Sequence, residues 1–248
     1  MSGSQTSKPS VVLVHGAWGD GSGWRKVIPL LMASGIRVHA VQNPTTSLAE
    51  DVKATRRILD IVDGPVVLVG HSWGGTVITE AGNDPKVAAL VYVAAFAPNA
   101  GQSTGDQVAA FPAPPGLGQV SADALGGYWM SRNGWVTCVA QDLPEDEAAT
   151  LFALQPPLGS TTFSDTVTKA AWADLPNWYV ISQNDRAVSV ELQHHLASVL
   201  NARTTTLDAS HMSLLSKPDA VAAVILEAVA EVCATVGAAG DTLIGSPS

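Results

Sequence analysis

Apolar residues along this chain come in short unbroken runs rather than in strict alternation. Runs rich in Val, Ile and Leu occupy residues 10–15, 36–41, 65–69, 87–94, 177–182 and, more weakly, 204–207. Such a run predicts a strand buried on both faces. Between the runs the spacing becomes helical. Leu48, Val52, Thr55, Leu59 and Val62 recur every three or four residues, and Ser47-Leu48-Ala49-Glu50 ahead of them predicts a capping box. Val221, Val224, Ile225, Ala228 and Val232 form a second stripe. It follows Ser216-Lys217-Pro218-Asp219, which puts proline in the first turn and an acid at the positive end. Strands alternating with helices predict an α/β fold, a mostly parallel sheet of about six strands flanked by helices.

The alternation stops between residues 98 and 174. Loop sequence such as Phe111-Pro112-Ala113-Pro114-Pro115-Gly116 opens this stretch, and helical spacing returns around 142–154. Trp129, Trp135 and Trp172 make it too aromatic for a disordered linker. It predicts a mainly helical cap inserted between two core segments, 1–97 and 175–235. The small, polar residues 236–248 predict a flexible tail. No internal repeat is visible.

Composition narrows the partners. The chain has 248 residues with a net charge of −9, and only 14% of them are charged against 46% hydrophobic. Soluble domains average about 25% charged residues, so a large core lies under a lean polar shell. An acidic chain with scattered Lys and Arg does not suit a run of phosphates, which excludes nucleic acid. The longest apolar stretch, 87–97, is well short of the roughly 20 residues that cross a bilayer, so no membrane partner is expected. The polar first ten residues lack the apolar segment of a secretory signal, and a cytoplasmic location is expected. Cys138 and Cys233 lack metal-ligand spacing and read as buried thiols in a reducing compartment. The expected partner is a small molecule, with no metal or organic cofactor.

Gly70-His71-Ser72-Trp73-Gly74 is a G-x-S-x-G motif between a buried strand and a helical run. That strand–turn–helix setting is a nucleophile elbow. Glycine is needed on either side because the turn is sharp, and a Cβ there would strike a neighbouring strand or helix. A serine hydroxyl needs a base. His15 and His39 lie at strand ends, His194 and His195 on a helical stretch, and His71 within the elbow, pointing away from Ser72. His211 lies in the loop Asp208-Ala209-Ser210-His211-Met212-Ser213, where the C-terminal edge of a parallel sheet collects functional groups. It is the expected base. Its orienting acid is expected to be Asp185, just past the strand at 177–182. Asp208 is too near in sequence, and Asp174 precedes its strand. Gly19-Asp20-Gly21-Ser22-Gly23 fails as a dinucleotide motif because residue 24 is tryptophan, and no G-K-S/T follows it.

The order Ser72, Asp185, His211 resembles the α/β-hydrolase superfamily. His15-Gly16-Ala17-Trp18, the elbow with Gly75, and His211-Met212-Ser213-Leu214-Leu215 resemble its small branch of plant-type methylesterases, hydroxynitrile lyases and bacterial esterases. The resemblance implies a serine esterase that forms an acyl-enzyme. It also implies an oxyanion hole from the backbone N–H groups of Trp73 and Ala17. Trp18, His71, Met212 and Trp129 are candidate pocket residues for a small-to-medium apolar carboxylic ester. The branch often forms dimers, so a monomer or a homodimer is expected. Hydroxynitrile lyases of this branch use a lysine and a threonine where Met212 and Ala17 stand, which disfavours a lyase. Lactones and thioesters fit the same machinery, and a haloperoxidase or perhydrolase side activity stays open. A non-catalytic ligand receptor is the alternative of another class.

Overall fold

Every residue of strand β1 (Ser10–Val14) is buried, as its unbroken apolar run requires. The structure is a computed structural model describing residues 8–242, with side chains described to residue 235. The other strands are β2 (Arg37–Ala40), β3 (Val66–His71), β4 (Val87–Val93), β5 (Val120–Ala122), β6 (Tyr128–Met130), β7 (Asn177–Ser182) and β8 (Arg203–Leu207). Six of them form one sheet in the order β2-β1-β3-β4-β7-β8, with every pairing parallel. The chain passes from β1 to the edge strand β2 and then back past β1 to β3, and because these strands run parallel the loops after β1 and β3 open at the same edge.

The helices are α1 (Ile28–Ala33), α2 (Leu48–Ile61), α3 (Trp73–Ala81), α4 (Thr104–Ala109), α5 (Arg132–Gly134), α6 (Glu145–Leu154), α7 (Val190–Val199), α8 (Ser213–Ser216) and α9 (Pro218–Thr242). Alternate residues of β1 divide the core. Val11 and Leu13 pack with Leu31 of α1 and with Val221, Ile225 and Val232 of α9. Val12 and Val14 pack with Val52 and Leu59 of α2, Val77 of α3 and Leu196 of α7. Both predicted helical stripes are buried. Helices on both faces explain why these strands lack polar alternation.

Four features differ in detail from the sequence reading. Ser47 caps α2 by accepting from the Glu50 N–H, but Glu50 turns outward to Lys53. The complete capping box belongs to Ser103 and Asp106 on α4. Cys138 is buried, whereas Cys233 is exposed on α9; it stands about 100° round the helix from buried Val232. Helix α9 runs to Thr242, so residues 236–242 are helical where a loose tail was expected, and 243–248 lie outside the described residues. Between β4 and β7 the chain leaves the sheet, and there β5 and β6 pair as a short antiparallel hairpin that the pattern did not predict. Three-residue strands carry too few positions for a periodicity to register. Among the described residues no helix is long and apolar enough to cross a membrane.

Candidate active site

Strand β3 ends at His71, and α3 begins at Trp73. Ser72 makes the turn between them with φ 54 and ψ −124. A non-glycine residue rarely adopts this left-handed conformation, which persists only when its surroundings enforce it. Here they do. The Ser72 N–H donates to the Val93 carbonyl at 3.2 Å, and its carbonyl accepts from Gly75 at 2.9 Å and Phe96 at 3.2 Å. The flanking glycines follow from close approach. A Cβ on Gly70 would lie 2.5 Å from the Gly74 carbonyl oxygen of α3, and one on Gly74 would lie 2.5 Å from the Val14 carbonyl oxygen of β1.

The loops after β7 and β8 bring Asp185 and His211 together. His211 donates from Nδ1 to Asp185 Oδ2 at 2.7 Å, and both side chains are almost fully buried. Asp185 accepts three further bonds: Ala187 N–H at 2.8 Å and Val188 N–H at 2.9 Å on Oδ1, and Gln193 Nε2 at 2.9 Å on Oδ2. Four donors fix the orientation of the carboxyl. With Nδ1 committed to Asp185, Nε2 is the ring nitrogen free to exchange a proton. Ser72 and His211 line one cavity, and no hydrogen bond joins Ser72 Oγ to the His211 ring in the described residues.

His71 lines the same cavity as Ser72 and is tied to the His211 loop. Its Nε2 lies 2.9 Å from the His211 carbonyl oxygen. A carbonyl only accepts, so His71 carries its proton on Nε2. Its ring stands 4.6 Å from that of His211 and edge-on to Trp24. Burial, and then the neighbouring His211 ring, hold His71 well below the usual histidine range, so it is neutral. The residue before Ser72 is thus tied to the backbone of His211. Burial also lowers His15, which accepts the Asn43 N–H at 2.9 Å on Nε2 and fixes the start of the loop after β1.

The cavity's wall is mostly apolar, including Trp18, Leu117, Trp135, Val139 and Leu151. Ala17, His71 and Met212 also line it, but Trp129 does not. Trp129 faces a separate outer groove and donates its indole N–H to Asp123 at 2.7 Å. Trp18 takes a left-handed conformation, φ 56, and donates its indole N–H to the Tyr128 carbonyl at 2.9 Å. Trp73 is the first residue of α3, so its N–H has no intrahelical partner.

Several groups at the site were not anticipated from sequence. Gln193 holds Asp185 from α7 while accepting the Ser182 N–H at 3.0 Å. Asp142 accepts the Ser210 N–H at 2.7 Å, next to His211, and Gln141 donates to the Asn184 carbonyl at 2.7 Å. No spacing rule links these positions in sequence. Asp51 did leave a signal, as an acid on the apolar stripe of α2 between Leu48 and Val52. It is fully buried. Burial pushes its carboxyl up to about 6, against hydrogen bonds from Trp73 and Thr45 that pull it down. The folded state therefore holds this proton more tightly than the unfolded chain. The resulting stabilisation is complete below about pH 3.8 and is lost as pH rises through about 6. The shift is worth about 3 kcal/mol. In urea unfolding at stepped pH, Asp51→Asn is expected to gain about that much relative to the parent between about pH 4 and about pH 7. A difference that stays flat with pH would refute the assignment.

A family model described as "Alpha/beta hydrolase family" matches residues 11–224. The chain is 27% identical over 244 residues to a probable hydrolase R7 of Phoma sp., covering 89% of this chain and 98% of the relative. It is 26% identical over 260 residues to methylesterase 3 of Arabidopsis thaliana, covering 89% and 95%. The crystal structure of a pyrethroid hydrolase from Sphingobium faniae JZ-2 superposes with a TM-score of 0.76 at 21% identity, covering 90% of this chain and 98% of that one.

Proposed function

The chain belongs to the alpha/beta hydrolase family, and from that membership we propose that it is a carboxylic ester hydrolase acting through Ser72, His211 and Asp185. The observation that carries this reading is the His211 Nδ1 to Asp185 Oδ2 bond of 2.7 Å, in a residue that shares one cavity with a strained Ser72. A buried imidazole whose outer nitrogen is fixed by a carboxylate and whose inner nitrogen is free is arranged to take a proton from a hydroxyl.

His211 Nε2 takes the Ser72 Oγ proton as Oγ adds to the ester carbonyl carbon. The negative charge moves onto the carbonyl oxygen, and the N–H groups of Ala17 and Trp73 are its donors. Each such donor is worth about 3 kcal/mol in the transition state. As the tetrahedral adduct collapses, the bond to the alcohol oxygen breaks and His211 returns the proton to it. Water, deprotonated by His211, then attacks the acyl-enzyme, releasing the acid and restoring Ser72. Asp185 stabilises the imidazolium in both halves without taking its proton.

The apolar wall favours a small-to-medium apolar ester. Residues 98–174 act as a cap: Leu117, Trp135, Val139 and Leu151 from this segment face the cavity. Met212 supplies no ammonium group where a lyase of this branch needs one. The test is a panel of p-nitrophenyl, aryl-alkyl and methyl esters with lactones and thioesters, alongside cyanide release from mandelonitrile. Turnover of apolar esters is expected, with no cyanide released. Cyanide release without ester cleavage would replace esterase by lyase, and no turnover of any substrate would favour a receptor.

A further inference from the structure

Asp51 is a buried carboxyl that the proposed chemistry does not use. It sits on the inward face of α2, and among the described residues no Lys, Arg or His pairs with it. Its two oxygens take one donor each. Oδ2 accepts the Trp73 indole N–H at 2.7 Å, and Oδ1 accepts the Thr45 backbone N–H at 2.8 Å. A leucine there would extend the apolar stripe at less cost to the fold, since a buried carboxylate without a cation is destabilising.

The two donors lead to different walls of the site. Trp73 follows Ser72, and its backbone N–H is one of the two oxyanion donors proposed above. Its ring also stacks on Phe163, with centroids 6.0 Å apart and planes at 27°, and Phe163 lines the cavity. Thr45 holds a left-handed conformation, φ 55. Its carbonyl accepts the Gly159 N–H at 2.7 Å, and its hydroxyl donates to the Pro157 carbonyl at 3.0 Å. Leu48 N–H, three residues before Asp51, donates to Asp165 at 2.9 Å. The segment that carries Phe163 is therefore seated on the loop that Asp51 holds.

We infer that Asp51 is a positioning residue for ester hydrolysis: its carboxylate clamps the Trp73 indole and the Thr45 loop together, fixing the Trp73 backbone N–H against the oxyanion and Phe163 against the substrate. The inference rests on the reading of Ser72 as nucleophile. Asp51 touches no substrate and acts through Trp73. Only a carboxylate serves both donors, because an asparagine has one acceptor oxygen and would turn its NH2 toward the other N–H. The desolvated carboxyl noted above is what a group kept for geometry rather than for stability would show.

Asp51→Asn, Trp73→Phe and the double variant test the clamp. Trp73→Phe keeps an aromatic ring and the backbone N–H but removes the indole donor. Functional sites are counted by labelling Ser72 with a fluorophosphonate, so that misfolded protein drops out. For each labelled site we expect kcat on a p-nitrophenyl ester to fall about tenfold or more in either single variant, with KM within about twofold. Affinity for phenylboronic acid, which forms a tetrahedral anion on Ser72, should weaken by the same factor. The double variant should be no worse than the poorer single one, because both remove the same bond. Unchanged kcat per labelled site in Trp73→Phe, or losses that multiply in the double variant, would overturn the inference. If Asp51→Asn fails to fold, Trp73→Phe still decides. A parent protein that is neither labelled nor active overturns the Ser72 reading and this one with it. A labelled, active parent with unaffected variants overturns the Asp51 role alone.

Discussion

Ser72→Ala is expected to fold like the parent and to lose ester turnover by about 10⁶-fold in kcat. The side chain can be removed without structural loss because Ser72 is held by its backbone, through the carbonyls and amides of Val93, Gly75 and Phe96. Alanine keeps the Cβ and pays no greater strain at φ 54 than serine does. What disappears is the one hydroxyl in the cavity that stands at the turn into α3, where helix N–H groups favour a developing negative charge. Initial rates on a p-nitrophenyl ester, with thermal melting of both proteins, check this. A variant that keeps more than a small percentage of the activity with an unchanged melt would remove Ser72 from the chemistry.

Asp185→Asn should cost about 10⁴-fold in kcat with little change in KM. The hydrogen bonds give the reason. Oδ1 accepts two backbone N–H groups, from Ala187 and Val188, so the asparagine oxygen is drawn to that side. Its NH2 then faces His211 Nδ1, which must accept rather than donate. That choice moves the His211 proton to Nε2, and an Nε2 already bearing a proton takes none from Ser72. The same NH2 also opposes the Gln193 amide, so a modest fall in melting temperature is expected. Steady-state kinetics on the ester panel reads the effect. A kcat within about tenfold of the parent would show that His211 does not depend on this carboxylate.

The site was legible where chemistry and local structure are written in adjacent residues. Ser72 stood out because one stretch of sequence supplies strand, turn glycines and helix together. His211 and Asp185 are singled out as candidates because each sits a few residues past an apolar run, and such loops gather at one sheet edge. The supporting groups were hidden for the opposite reason. Gln193 reaches Asp185 from inside α7, and Asp142 reaches the His211 loop from the segment between β4 and β7. Their partners are fixed by packing, not by spacing. Trp129 was expected in the pocket on aromatic character alone, but the hairpin register of β5 and β6 turns it to an outer groove. Cys233 was expected to be buried on residue type alone, whereas the rotation of α9 leaves it exposed.

By itself the sequence determined which segments become the strands of the main sheet, which faces of α2 and α9 turn inward, and that a serine stands at a strand–helix turn. These follow from hydrophobic burial and backbone sterics, which act over a few neighbouring residues. Tertiary structure alone decided that His71 bonds the backbone of His211, that four donors fix Asp185, and that Asp51 grips the residue after Ser72. Hydrogen bonds between groups far apart along the chain depend on ångström-scale distances, and those exist only once both layers of helices have closed on the sheet.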